Sequence, residues 1–250
     1  MLADAHCHLQ FSAFDADRPA VIRRARQQGV SRLVVAGTRL DEIGALTALS
    51  RPGEVDICFG LHPWFLDDHG DDDIEQLAQA LASHEVVALG ECGVDARIDS
   101  PERQWRLFDA QLKLAKRLAL PVVIHCVKYE DEVGKRLGQL ALPAGGLIHA
   151  FTGSLQQAER LIGLGFTLGI GGAVTHDRAH KLKRTVAALP EGSFVLETDA
   201  PDMTPQGAAG ERNEPANVTL VAAEVARLRG ISAETLAAQT GATLERLLRR

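Results

Sequence analysis

The segment Asp4-Ala-His-Cys-His8 alternates small and polar residues, and on an extended chain that spacing puts Asp4, His6 and His8 on one face. Two imidazoles two positions apart can hold one metal ion, although such a pair is a weak signal alone. Four further ligand-type residues sit at the ends of short apolar runs. Glu91 follows Val86-Val87-Ala88-Leu89-Gly90, His125 follows Pro121-Val122-Val123-Ile124, His149 ends Gly146-Leu147-Ile148, and Asp199 comes just after Phe194-Val195-Leu196. An ionisable group closing an apolar β run is costly to bury by itself. A divalent ion satisfies several such groups together.

Four histidines and two carboxylates exceed one catalytic zinc, which takes three protein ligands and water, so the pattern points to two divalent ions. His6, His8, Glu91 and Asp199 are expected to hold one, and Glu91, His125 and His149 the other, with Glu91 bridging. Mixed imidazole and carboxylate donors favour zinc or manganese over magnesium. Two ions about 3.5–4 Å apart suit the hydrolysis of phosphate esters. Asp199 is then the expected general base, the alternative being that it only holds metal. His62, in Gly60-Leu-His-Pro63, is not needed as a ligand; it is expected to protonate the leaving oxygen or contact phosphate, or else to be structural. Asp4 and Glu197 each precede a ligand by two residues and are expected to hydrogen-bond imidazoles.

Positioning these residues requires strands that converge. Eight β-rich runs (residues 2–7, 32–36, 54–59, 86–89, 121–126, 146–149, 166–170 and 194–197) alternate with helical patterns, the count of a (β/α)8 TIM barrel, an α/β fold. Active sites of that fold gather at the C-terminal ends of the strands, where all six candidate ligands lie. Ser100-Pro101-Glu102 reads as a capped helix start, and Ser154 with Gln157 as a capping box. Trp105 falls on the buried stripe of residues 104–118 and belongs to the core. Residues 233–250 form an additional C-terminal helix expected to cover one end or flank of the barrel. Residues 201–215 read as a long loop after the eighth strand, and the whole chain, 1–250, as a single domain.

The segments Asp4-Ala-His-Cys-His8, Gly60-Leu-His-Pro63, Gly90-Glu-Cys-Gly-Val-Asp95, the strand ending at His125, His149-Ala-Phe-Thr-Gly153 and Glu197-Thr-Asp-Ala-Pro201 together resemble the TatD family of metal-dependent hydrolases. Ser154-Leu-Gln-Gln-Ala-Glu-Arg160 and Asp199-Ala-Pro-Asp-Met203 are most similar to its YjjV-like branch. The resemblance implies a TIM barrel, a deoxyribonuclease activity often run with magnesium, and metal ligands at the same six residues. The chain departs from the pattern at Cys92 and Val94, and at Lys128, where many relatives carry arginine after the fifth-strand histidine. Lys128 is expected to stand in for it, offering a phosphate a point charge rather than a fork. Arg212, in Glu211-Arg-Asn-Glu-Pro215, is a further expected phosphate contact.

Composition narrows the alternatives. The 250 residues carry a net charge of −6 with 4% aromatics, which disfavours an extended nucleic-acid coat and leaves room for a local site whose cations supply positive charge. Four scattered cysteines form no C-x-x-C pair and read as buried thiols. No G-x-S-x-G elbow, Walker loop or G-x-G-x-x-G turn occurs, so serine hydrolase, nucleotide-triphosphatase and dinucleotide chemistry lack their parts. DNA or a small phosphoester is the expected substrate. The rivals are an amidohydrolase-like enzyme acting on a small C–N or lactone bond, and a metal-binding protein without turnover. No apolar run is long enough for a membrane span, and a cytoplasmic monomer is expected.

Overall fold

A computed structural model describes residues 2–70 and 72–248. Its strands are β1 (Leu2–Cys7), β2 (Val30–Ala36), β3 (Val55–Phe59), β4 (Ala88–Asp95), β5 (Val122–Val127), β6 (Gly146–Ile148), β7 (Phe166–Ile170) and β8 (Phe194–Leu196). They pair in parallel in sequence order as one eight-stranded sheet. The seam between first and last strands is closed by backbone hydrogen bonds from Asp199 N to His6 O (2.9 Å) and from His8 N to Ala200 O (2.7 Å). Seven helices alternate with the strands: α1 (Arg18–Gln27), α2 (Ile43–Leu49), α3 (Asp73–Ser83), α4 (Pro101–Leu118), α5 (Glu130–Leu140), α6 (Leu155–Gly163) and α7 (His180–Ala188). After β8 come α8 (Val218–Arg229) and α9 (Ala233–Leu248). The expected TIM barrel with an extra C-terminal helix is therefore the fold.

Two local expectations change. β4 runs from Ala88 through Asp95, so Glu91 lies inside a strand rather than at its end. Its polar residues break the apolar run that sequence reading relies on, yet Glu91 faces imidazoles across the barrel mouth and Asp95 accepts hydrogen bonds from His125, Arg97 and Trp64. Ser100 takes a left-handed conformation (φ 63°) and makes no side-chain cap to α4, whereas the Ser154–Gln157 box at the start of α6 forms in full. The C-terminal helix is described as far as Leu248; the remainder of the 233–250 segment lies outside the described residues.

The core has two layers. Residues such as Leu33, Val35, Ile57, Phe59, Leu89, Val122 and Ile124 face the helices, whereas Ala5, Val34, Cys58, Ala88, Val123, Leu147 and Val195 cluster with Leu244 of α9. α9 thus closes the end of the barrel opposite the ligands, and Leu244 fills space that these smaller inward-facing residues leave. Leu244→Ala is expected to destabilise the protein by about 2–5 kcal/mol in denaturant unfolding, because the barrel strands cannot collapse into the hole. A change of a few tenths of a kcal/mol would show that α9 is only a flank.

Candidate metal centre

β1 and β4 both lose register just where they deliver ligands. Asp4 pairs with Leu33 and Cys7 with Val35, so three steps of β1 span two of β2. Likewise Leu89 pairs with Val122 and Cys92 with Ile124. Bulges of this kind re-aim side chains, and here they carry His6 and Glu91. Gly93, next in β4, runs so close to β5 that a Cβ there would lie 1.9 Å from His125 O. Only glycine allows that approach.

The six expected ligands meet. Glu91, 1% exposed, points Oε2 at His6 Nε2 and His8 Nε2, both at 3.2 Å. Asp199 Oδ1 lies 3.3 and 3.4 Å from the same two nitrogens, which are 3.2 Å apart. On the other side, Glu91 Oε1 lies 2.8 Å from His149 Nε2 and 3.1 Å from His125 Nδ1, with 3.0 Å between those nitrogens. An ion with tetrahedral bonds of about 2.0–2.1 Å holds its donors about 3.3 Å apart. The spacing therefore fits metal on either side of Glu91. Glu91 Oε1 also lacks a hydrogen-bond partner despite its burial, as do His6 Nδ1 and His149 Nδ1.

Electrostatics point the same way. Burial alone would raise the Glu91 carboxyl, but His149, His62 and His6 hold it well below its ordinary range. Burial alone would lower His8, yet hydrogen bonds that its ring donates to Asp199 and Glu91 push it up to about 10. His6 and His149 are raised too, against burial, chiefly by the charge of Glu91. On His6, His8 and His149 a proton is thus drawn to where a cation would sit, so metal binding would displace protons.

His62 joins this cluster, its Nε2 lying 3.1 Å from Glu91 Oε1 and, with Glu91 and His125, within reach of one ion. Its Nδ1 accepts a hydrogen bond from Trp64 N at 3.1 Å, which assigns the ring proton to Nε2. Burial lowers its pKa to about 4. A neutral imidazole carrying its proton on the facing nitrogen is a donor rather than a metal ligand.

Partners behind the ligands fix their tautomers. His8 Nδ1 contacts Ala36 O at 2.9 Å. His125 Nε2 donates to Asp95 Oδ2 at 3.0 Å, leaving Nδ1 free toward the centre. Sequence reading gave Asp95 no role, although its position two and four residues beyond Gly93 and Glu91 on β4 was the available clue. Against burial, hydrogen bonds from His125, Arg97 and Trp64 keep its carboxyl ionised. Glu197 Oε1 accepts from Ala150 N and lies 3.7 Å from His149 Nδ1, facing that imidazole as expected but at a longer distance. Asp4 corrects expectation: its oxygens accept from Thr198 N (2.9 Å), Thr198 Oγ1 (2.6 Å) and His6 N (3.3 Å), not from an imidazole. The β1 bulge turns it toward the seam, where burial raises its pKa to about 7.

Lys128 lies on the rim of the cavity of about 360 Å³ above this centre, in a left-handed conformation (φ 61°). Arg212 does not line that cavity. It pairs with Asp17 at 2.9 Å and lies 4.8 Å from the Phe14 ring, while Arg24 bridges Asp17 and Glu214. The expected phosphate contact is thus spent on tying the β8–α8 loop to α1.

Over residues 3–249 the sequence matches the family described as TatD related DNase. The chain belongs to the TatD family. It is 42% identical to the metal-dependent hydrolase YjjV of Escherichia coli K12, covering 94% of this chain and 92% of that one. It is 34% identical to the 3'-5' ssDNA/RNA exonuclease TatD of Erwinia billingiae, covering 98% of each. The crystal structure of the Escherichia coli YjjV protein superposes with a TM-score of 0.94 at 40% identity, covering 99% of this chain and 97% of that one. This TatD-family chain is accordingly a metal-dependent hydrolase.

Asp95→Asn is expected to weaken divalent-ion binding by about 10–100-fold in competition with a chelating dye, because His125 loses the carboxylate that orients it. Unchanged affinity would show that His125 needs no such partner.

Proposed function

We propose that this TatD-family hydrolase cleaves phosphodiester bonds of single-stranded nucleic acid with two divalent ions, zinc, manganese or magnesium, seated by His6, His8, Glu91, His125, His149 and Asp199. The observation that carries the reading is the Glu91 carboxylate, whose two oxygens each face a separate set of imidazoles at 2.8–3.2 Å. When bound, such ions supply Lewis acidity that lowers the pKa of a water and offsets charge on a phosphodiester. The relative named as a single-strand DNA and RNA exonuclease, matching along nearly its whole length, supports that substrate class. The proposal keeps the cytoplasmic, monomeric enzyme expected from the sequence.

The chain's own groups then have distinct tasks. Asp199 lines the cavity and its side chain is 15% exposed against 1% for Glu91, so it is the carboxylate that meets an incoming water. It takes the water's proton as the oxygen attacks phosphorus, and that proton is then available to the oxygen that departs. His62, neutral with its proton on Nε2, donates a hydrogen bond to a phosphate oxygen. It does not serve as the acid, because giving up that proton would leave an imidazolate. Lys128 offers its ammonium to a neighbouring phosphate.

Protein loaded in turn with magnesium, manganese and zinc is expected to hydrolyse single-stranded DNA, to lose the activity to a chelator, and to regain it on metal addition. Cleavage only of lactones or cyclic amides would overturn the reading. Glu91→Gln is expected to abolish turnover while circular dichroism stays unchanged; a fully active variant would show that no bridging carboxylate is required. His62→Ala is expected to lower kcat by about 10²–10³-fold, equally for nitrophenyl and alkyl leaving groups. A loss confined to alkyl leaving groups would instead mark His62 as the acid.

A further inference from the structure

Among the described residues Trp64 is the most exposed large apolar side chain, 52% accessible, and it stands on the rim of the cavity over the metal centre. A large apolar surface kept in water beside a reactive centre marks a contact with a ligand. The ring is also held in place. Its Nε1 donates to Asp95 Oδ2 at 3.0 Å, the same oxygen that accepts from His125 Nε2. The indole is therefore tied through one carboxylate to a candidate ligand, and its position relative to the reacting atoms is set before substrate arrives.

Cations accompany the ring. The Arg97 guanidinium lies 5.6 Å from the Trp64 ring centre, with Nε and Nη2 spent on Asp95. Its Nη1 makes no hydrogen bond among the described residues, and the side chain is 54% exposed. Lys128 lines the same cavity, is exposed, and has no ion pair among the described residues. An exposed indole with one cation over its ring and a second on the rim of the same cavity matches a base together with its adjoining phosphates. A duplex offers only base edges and keeps its faces stacked on one another, so this surface requires an unpaired base. The cavity, about 360 Å³, has the scale of one nucleotide.

We propose that Trp64 is the shelf on which a base of single-stranded nucleic acid stacks next to the scissile phosphate, with Arg97 and Lys128 meeting the flanking phosphates. The inference rests on the nuclease reading and adds a positioning residue to it. Nothing in the shelf reads base edges, so stacking there tolerates every base and discriminates against strands that lack bases.

The protein has two tryptophans, so Trp105→Phe leaves Trp64 as its sole indole reporter. Titrating that metal-loaded variant with a hydrolysis-resistant phosphorothioate pentathymidylate is expected to quench its fluorescence, and the matched abasic oligomer is expected not to. In kinetics, Trp64→Ala is expected to raise KM for base-bearing oligonucleotides by about tenfold and to abolish the preference for them over matched abasic substrate. Trp64→Phe keeps a ring but loses the bond to Asp95, and is expected to restore most of the KM. Equal kinetic defects in Trp64→Ala and Trp64→Phe would mean that the indole serves only to hold Asp95, and would overturn the shelf. DNA cleavage without base-dependent quenching would also overturn the shelf while leaving the nuclease reading intact. Base-dependent quenching in a protein that cleaves no phosphodiester would sink the nuclease reading and keep the shelf.

Discussion

Burying a carboxylate costs several kcal/mol unless charge and hydrogen bonds replace the water it gives up. Glu91, 1% exposed on the inner wall of the barrel, meets that requirement with imidazoles from β1, β5, the end of β6 and the turn after β3. Most of the geometry at the mouth follows from it. His6 and His8 are drawn to one oxygen, His125 and His149 to the other, and Asp199 completes the first set. Even with imidazoles packed this closely, the buried Glu91 Oε1 is left without a hydrogen-bond partner, which makes sense for a centre built around cations and little sense for one built around hydrogen bonds alone.

The backbone deviates where this centre demands it. Regular parallel pairing would turn alternate residues of β1 and β4 inward at fixed heights, and the two lost-register positions shift His6 and Glu91 off that schedule. β5 and β6 need no such adjustment: Val123 and Leu147 face the interior two residues before His125 and His149, as simple alternation requires. Close approach supports the arrangement. A Cβ on Gly169 of β7 would lie 2.0 Å from Glu197 Oε2, so the bare backbone there makes the room in which that carboxylate reaches toward Ala150 and His149.

Much of this could be read from residue order. Eight apolar runs at barrel spacing identified the architecture, and ligand-type residues at strand ends identified the participants. What escaped reading depended on three-dimensional detail. The bulge in β1 is invisible in Asp4-Ala-His-Cys-His8, so Asp4 was matched to an imidazole when it braces Thr198. The extent of β4 was cut short because Glu91 and Asp95 look like breaks in an apolar run. Arg212 had the charge for a phosphate contact, but the acidic partner that claims it, Asp17, is far away in the chain. Asp95 and the exposure of Trp64 emerge only when helix, loop and strand are assembled.

The hydrogen-bonded seam between β1 and β8 joins residues 194 positions apart, Asp4 to Thr198. In chain order β1, with His6 and His8 at its end, precedes every other strand, whereas Asp199 follows β8 and the α9 plug comes later still. A fragment ending before β8 would lack both Asp199 and the backbone bonds that close the barrel against β1.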